Sequence, residues 1–266
     1  MRGRDLLASA LVVTSCVCAL AHETWMIPSS FSAKVGEEVR LDVSSGMAFP
    51  RLESPIRAQR VAGARYRLGR VNARVAALKT SKTSLELRQA FTNAGVATVW
   101  LDLKPKEIAL ADDQVAEYLD EIGATDELRS VWARRKGRVP WKETYTKHAK
   151  SFVAVGAAND DRSWAEGIGS TLELIPTTSP FTVEVGGELT VELQAGGKPL
   201  ANFPVGLMVD GSTERVFRTT NTGGRATFPV AREGRALLFA VRLVPAPDGS
   251  SWNSDFCTMT FAIQRR

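Results

Sequence analysis

Val35-Gly36-Glu37-Glu38-Val39-Arg40-Leu41-Asp42-Val43 and Val185-Gly186-Gly187-Glu188-Leu189-Thr190-Val191-Glu192-Leu193 carry one pattern twice, 150 residues apart. Each copy opens on a glycine turn and then alternates apolar with polar residues at period two, as a half-buried antiparallel strand does. Upstream, Ile27-Pro28 followed by Phe31 resembles Ile175-Pro176 followed by Phe181. Downstream, Gly95 opening VATVWL resembles Gly234 opening RALLFAV. Three matches in the same order argue for two related sandwich domains.

The chain of 266 residues has room for two domains, and its 44% hydrophobic content is that of a globular protein with real cores. The expected fold class is mainly β: two immunoglobulin-like β-sandwich domains with an α-helical insertion between them. Further strands are expected at 205–209, 214–218, 226–230, 236–244 and 256–263, with turns at Gly196-Gly197 and Asn221-Thr222-Gly223-Gly224. The middle reads as helix. Ile108, Val115, Leu119 and Ile122 recur at helical spacing until Gly123 stops the run. Thr125 has the character of an N-cap ahead of Leu128, Val131 and Trp132, and Arg134 to Lys136 close that helix before Gly137. Pro140 is expected to start a third helix through Tyr145, Ala149 and Phe152, with its lysines in water. The division is then a signal peptide over 1–21, an N-terminal sandwich over 22–104, a helical insertion over 105–155 and a C-terminal sandwich over 165–266, with 156–162 as linker.

The N-terminus reads as an export signal. Arg2 and Arg4 form a cationic start, 6–20 is apolar or small throughout, and Ala19-Leu20-Ala21 fits a cleavage site. The run is too short to favour a membrane span, and no other stretch approaches that length. Cleavage after Ala21 would make His22 the first mature residue of a periplasmic or secreted protein. Val13-Thr14-Ser15-Cys16 offers the alternative of a lipoprotein anchored at Cys16. Cys16 and Cys18 lie in the leader, so the mature chain keeps only Cys257 and forms no internal disulfide; that thiol is expected to be buried and inert.

Charge and motifs exclude several functions. The net charge of +5 is spread thinly. Its densest cluster, Arg134, Arg135, Lys136 and Arg138, sits at a helix end, so no nucleic-acid partner is expected. No nucleophile elbow, P-loop or dinucleotide fingerprint occurs, and only His22 and His148 could serve as imidazole bases. Asp112-Asp113 and Asp160-Asp161 fall at a helix start and in the linker, where they cap or are solvated. No enzyme is expected. Tryptophan occurs six times, at 25, 100, 132, 141, 164 and 252. These rings suit core packing, or sugar binding where exposed. As a free N-terminus, His22 could chelate a divalent transition metal through its amine and ring, with Glu23 as a third donor. An arbitrary polar first residue is the competing explanation.

Taken in order, AHETWMIPSSF, Val35-Gly36-Glu37, EYLDEIGATDEL, ETYTKHAKSFVAVG, STLELIPTTSPF, GGKPLANFPV with TNTGGRATFPV, and AVRLVPAP through SWNSDFCTMTF resemble a bacterial exported family. That family is described as the periplasmic component of nickel/cobalt uptake, and much of it is labelled only a domain of unknown function. The resemblance spans essentially the whole mature chain. It implies a binding accessory, with nickel or cobalt as the weakly held metal, His22 as the ligand that carries over, and an inner-membrane metal permease as partner. The chain departs from the family at Arg242, where a histidine is usual, and at Ser251 and Asn253, where acidic residues are usual. A guanidinium stays protonated and cannot ligate a cation, so the resemblance implies a degenerate site with Arg242 close to it. The other reading is a non-metal module of sandwich type that binds protein or carbohydrate.

Overall fold

The computed structural model describes residues 22–158, 160–212 and 214–265, so the expected leader, 1–21 with Cys16, lies outside the described residues. Strand takes 52% of the chain and helix 10%. The N-terminal half contains β1 (Glu23–Pro28), β2 (Ser32–Ala33), β3 (Glu38–Gly46), β4 (Ser54–Pro55), β5 (Val61–Leu68), β6 (Val71–Arg74), β7 (Ala77–Thr80), β8 (Leu85–Ala90), β9 (Gly95–Leu103) and β10 (Lys106–Leu110). Two helices follow, α1 (Asp112–Glu121) and α2 (Asp126–Ala133), and then a long strand, β11 (Trp141–Val155). The C-terminal half contains β12 (Leu172–Pro176), β13 (Glu188–Ala195), β14 (Lys198–Pro199), β15 (Pro204–Val209), β16 (Val216–Thr219), β17 (Arg225–Pro229), β18 (Gly234–Pro245) and β19 (Trp252–Ile263).

These strands make three sheets. One runs β1-β3-β8-β7 with β4 on β3, and one runs β12-β13-β14 with β17 on β13. The third has ten strands, in the order β16-β15-β18-β19-β11-β9-β5-β6 with β10 and β2 on β11. Alternation explains the layers. Val39, Leu41 and Val43 of β3 and Leu85 and Leu87 of β8 face Ala97, Val99 and Leu101 of β9 in one core. Leu189, Val191 and Leu193 of β13 face Leu238, Met259 and Phe261 in the other. Each such aliphatic side chain contributes ~1.5–3 kcal/mol when fully buried.

The repeat read from the sequence is a structural repeat. Pro28 pairs with Leu41 and Ile27 with Asp42, as Pro176 pairs with Val191 and Ile175 with Glu192. Gly36 and Gly186 take φ of +83° and +86° at the turn before the repeated strand. Gly95 and Gly234, which open β9 and β18, take +135° and +130°. Only glycine enters these conformations without strain.

The helical insertion expected over 105–155 is overturned at both ends, and at its start Ile108 lies in the strand β10 and not in a helix. The third helix from Pro140 is the strand β11, and among the described residues α-helix is confined to α1 and α2, where Thr125 caps α2 by accepting from Leu128 N at 3.3 Å. β11 runs parallel to β19 from Glu143 to Ser151 and antiparallel to β9 from Phe152 to Val155. It is covered on both faces, so its apolar residues do not alternate cleanly with polar ones. Tyr145 and Ala149 lie four apart, a spacing that serves a strand as well as a helix. The lysines expected in water are therefore buried: Lys147 is 6% exposed and Lys150 4%, the latter paired with Glu173 at 2.8 Å.

The repeated glycines supply a direct check. Gly36 and Gly186 have no atom within 4 Å of an added Cβ, so Gly36→Ala and Gly186→Ala act through backbone strain alone. Each should lower stability by about 1 kcal/mol, and the two should add, since they lie in different halves. Urea midpoints of the single and double variants measure this; no loss in either would contradict the shared turn geometry.

Candidate functional site

His22 directly precedes β1, and β1 is shared between the halves. Its backbone pairs with β3, while Thr24 O and Met26 O accept the hydroxyls of Thr258 and Thr260 from β19. Successive side chains leave opposite faces. Glu23, Trp25 and Ile27 point one way, the last two packing on Met208, Leu237 and Phe239 of the C-terminal half. His22 and Thr24 line a groove of about 750 Å³ on the other side.

Four cations line that groove: Arg57 and Arg60 around a single 3-10 turn, Lys106 at the start of β10, and Lys147 in β11. Among the described residues no carboxylate lines it. Tyr145 gives an aromatic wall, with the Arg60 guanidinium 5.6 Å and the Lys147 ammonium 5.2 Å from its ring centroid. Thr24 and Ser45 add hydroxyls, hydrogen-bonded to each other at 2.6 Å.

Lys147 donates to His22 O and lies 4.9 Å from the Phe256 ring centroid. Burial lowers its pKa to about 8, against the pull of Glu23 and Glu143. Burial likewise raises Glu23 to about 7, although Arg215 and Lys147 favour its charged form; Arg215 Nη1 stands 3.9 Å from Glu23 Oε1. Glu143 is raised by burial too, but both its oxygens are occupied: Tyr118 Oη and Trp141 Nε1 each donate at 2.9 Å, and Ser254 Oγ donates as well. Burial lowers the pKa of His22, with Lys147 adding to the effect, and its Nδ1 has no partner.

The two residues expected to share a metal do not converge. His22 opens on the groove and Glu23 on the opposite side, each with a cation nearby, and among the described residues no group of three or more His, Cys, Asp or Glu side chains could hold an ion. The donor set does not fit a resident divalent metal, which needs three or four protein ligands. Arg242 is also not where the resemblance implied. It pairs with Asp255, while its neighbours Val241 and Leu243 pack with Trp252 and Phe256 under the helices. Alternation thus puts Arg242 and Asn253 on the face of β18–β19 turned away from β1.

All six tryptophans are buried, at 6% exposure or less, so none offers a sugar platform. The Cys257 thiol is buried and pushed well above the usual range. Sequence reasoning missed a chain in which His148 Nδ1 meets Asp102 at 2.7 Å, Nε2 meets Thr171 at 3.1 Å and Thr171 donates to Asp255 at 2.9 Å. It has the members of a nucleophilic triad, but Thr171 is exposed and its hydroxyl is committed to Asp255. It also missed the groove, whose cations lie far apart in the chain.

Fold and site define a two-sandwich, mainly β protein with a cation-lined groove at the strand that joins its halves. The family model described as "Domain of unknown function (DUF4198)" matches residues 19–242, and the chain belongs to that family. No curated protein matches it. Among solved structures it is similar to the D0-D1 domain of Intimin, at 13% identity and a TM-score of 0.22, over 89% of this chain and 96% of that one. The Yersinia pseudotuberculosis adhesin InvE matches at 12% and 0.24, over 90% and 58%. Murine CEACAM1b matches at 8% and 0.23, over 92% and 100%. At these TM-scores none carries an argument about function.

Glu23 allows a test of the buried charges. Its folded pKa, about 7, lies above the ordinary 4.5. Folding therefore takes up a proton, and the stability tied to it is full below about pH 4.5 and lost as pH rises through 7. Glu23→Gln escapes that loss. Relative to wild type it should gain on the order of 3 kcal/mol in going from pH 4.5 to pH 8, at about 1.4 kcal/mol per pKa unit. Denaturant unfolding at both values reads this out; a relative loss at pH 8 would show that the ionised carboxylate stabilises the fold.

Proposed function

We propose that the protein is an exported, non-catalytic binding protein that takes a small ligand in the groove beginning at His22. The observation that carries this is the groove itself, about 750 Å³ with converging polar side chains, a size that suits a small molecule. The commitment of the Thr171 hydroxyl to Asp255 supports a role without catalysis. Among the described residues no helix is long and apolar enough to cross a membrane. Gln59 is exposed and lines the groove, so Gln59→Trp fills it without touching a core. Native mass spectrometry of the exported protein should show a retained small molecule that Gln59→Trp loses. Retention unchanged in that variant, or none in wild type, would overturn the assignment.

A metal-binding role beside a nickel/cobalt permease is the second reading, favoured by the buried, unpartnered Nδ1 of His22. Export with cleavage after Ala21 would add an α-amine to that ring nitrogen. Two donors beside Lys147 give weak binding at best. Calorimetric titration with nickel or cobalt should show a Kd no tighter than about 1 mM, lost in His22→Ala and unchanged in Arg242→His. A micromolar, stoichiometric site that survives His22→Ala would lie elsewhere in the molecule.

A further inference from the structure

We propose that the groove selects a small organic polyanion, a molecule carrying two or more carboxylate or phosphate groups, with Lys147 as its central anchor. This rests on the binding-protein reading and names the ligand class. An ammonium has three protons to donate. Lys147 is 6% exposed, and among the described residues its one hydrogen bond is to His22 O. Its other protons meet the Tyr145 and Phe256 rings and the groove. A buried cation is costly unless paired, and an oxyanion in the groove would supply the missing acceptors.

The surrounding charges point the same way. Arg57 and Lys106 are exposed beside the groove, and Arg60 spends one nitrogen on Pro105 O at 3.3 Å. Among the described residues none of these three is ion-paired. The carboxylates that act on Lys147 are weak partners for it: Glu143 is filled by three donors, and burial drives Glu23 toward its neutral form. Glu53, near His22, accepts from the Met47 and Ala48 amides at 3.0 and 3.2 Å. Cations gathered from three separate segments suit several anionic groups better than one, and the Tyr145 wall suits an organic body.

The test is calorimetric titration of the chain from His22 with citrate, inorganic phosphate and glucose at pH 6.5, repeated with citrate at pH 9. The inference expects 1:1 binding of citrate, weaker or no binding of phosphate, and none of glucose. Citrate affinity should fall severalfold, up to about tenfold, at pH 9, as Lys147 loses its proton. Lys147→Met should weaken citrate at least tenfold. Arg57→Gln with Lys106→Gln alters only exposed side chains, so it folds even where Lys147→Met does not, and it too should weaken citrate about tenfold. Phosphate bound as tightly as citrate would overturn the organic polyanion in favour of a simple oxyanion. Glucose bound in a manner that Gln59→Trp blocks would overturn the ligand class while leaving the groove as the binding site. Failure of citrate to bind, or citrate binding indifferent to both sets of substitutions, would overturn the inference.

Discussion

The structure depends on the backbone ladder of β11. Fifteen residues, Trp141 to Val155, pair with β19 of one sandwich along most of their length and with β9 of the other at their end. Every buried amide and carbonyl must find a partner, and in β11 those partners come from both halves. The sandwiches are therefore joined through one ten-stranded sheet. β1 reinforces the joint from the side, since its carbonyls accept the Thr258 and Thr260 hydroxyls while its own ladder belongs to β3.

The joint places charge where a soluble protein seldom puts it. Lys147 projects from the middle of β11, against the start of β1 and into the groove. Its ammonium is held by His22 O, two aromatic faces and the field of Glu23 and Glu143. A rigid sheet keeps that cation in place, whereas Arg57, Arg60 and Lys106 sit at strand ends and a turn, where side chains adapt. Fixed and adaptable cations together fit the demands of a binding site, because orientation is preorganised only at its centre.

The two-sandwich plan was legible because alternation and glycine turns are local signals. Gly36 and Gly186 announced the same turn, and the residues after them the same half-buried strand. β11 was not legible, because a strand covered on both faces loses the alternation that marks it. Tyr145, Ala149 and Phe152 satisfy helical spacing as readily as they fill a strand. The misreading hid the groove: on a helix Lys147 belongs in water, and its burial rests on Glu23 of β1 and Phe256 of β19, both distant in the chain, as well as on Glu143 of its own strand. His22 was singled out for chelation with Glu23, but adjacent residues entering a strand face apart. Arg242 failed for the same reason, since its register partner Asp255 fixes it on the far face.

Native-state hydrogen exchange tests most directly whether β11 unites the two halves. The amides of β11 from Glu143 to Ser151, those of β19 from Phe256 to Thr260 and those of β9 from Val96 to Val99 should open together, in the slowest class, with the free energy of global unfolding. If β11 opened at lower free energy than either sandwich, or if the two sandwiches opened separately, β11 would be a linker laid across two independent domains and would not be the strand that makes them one.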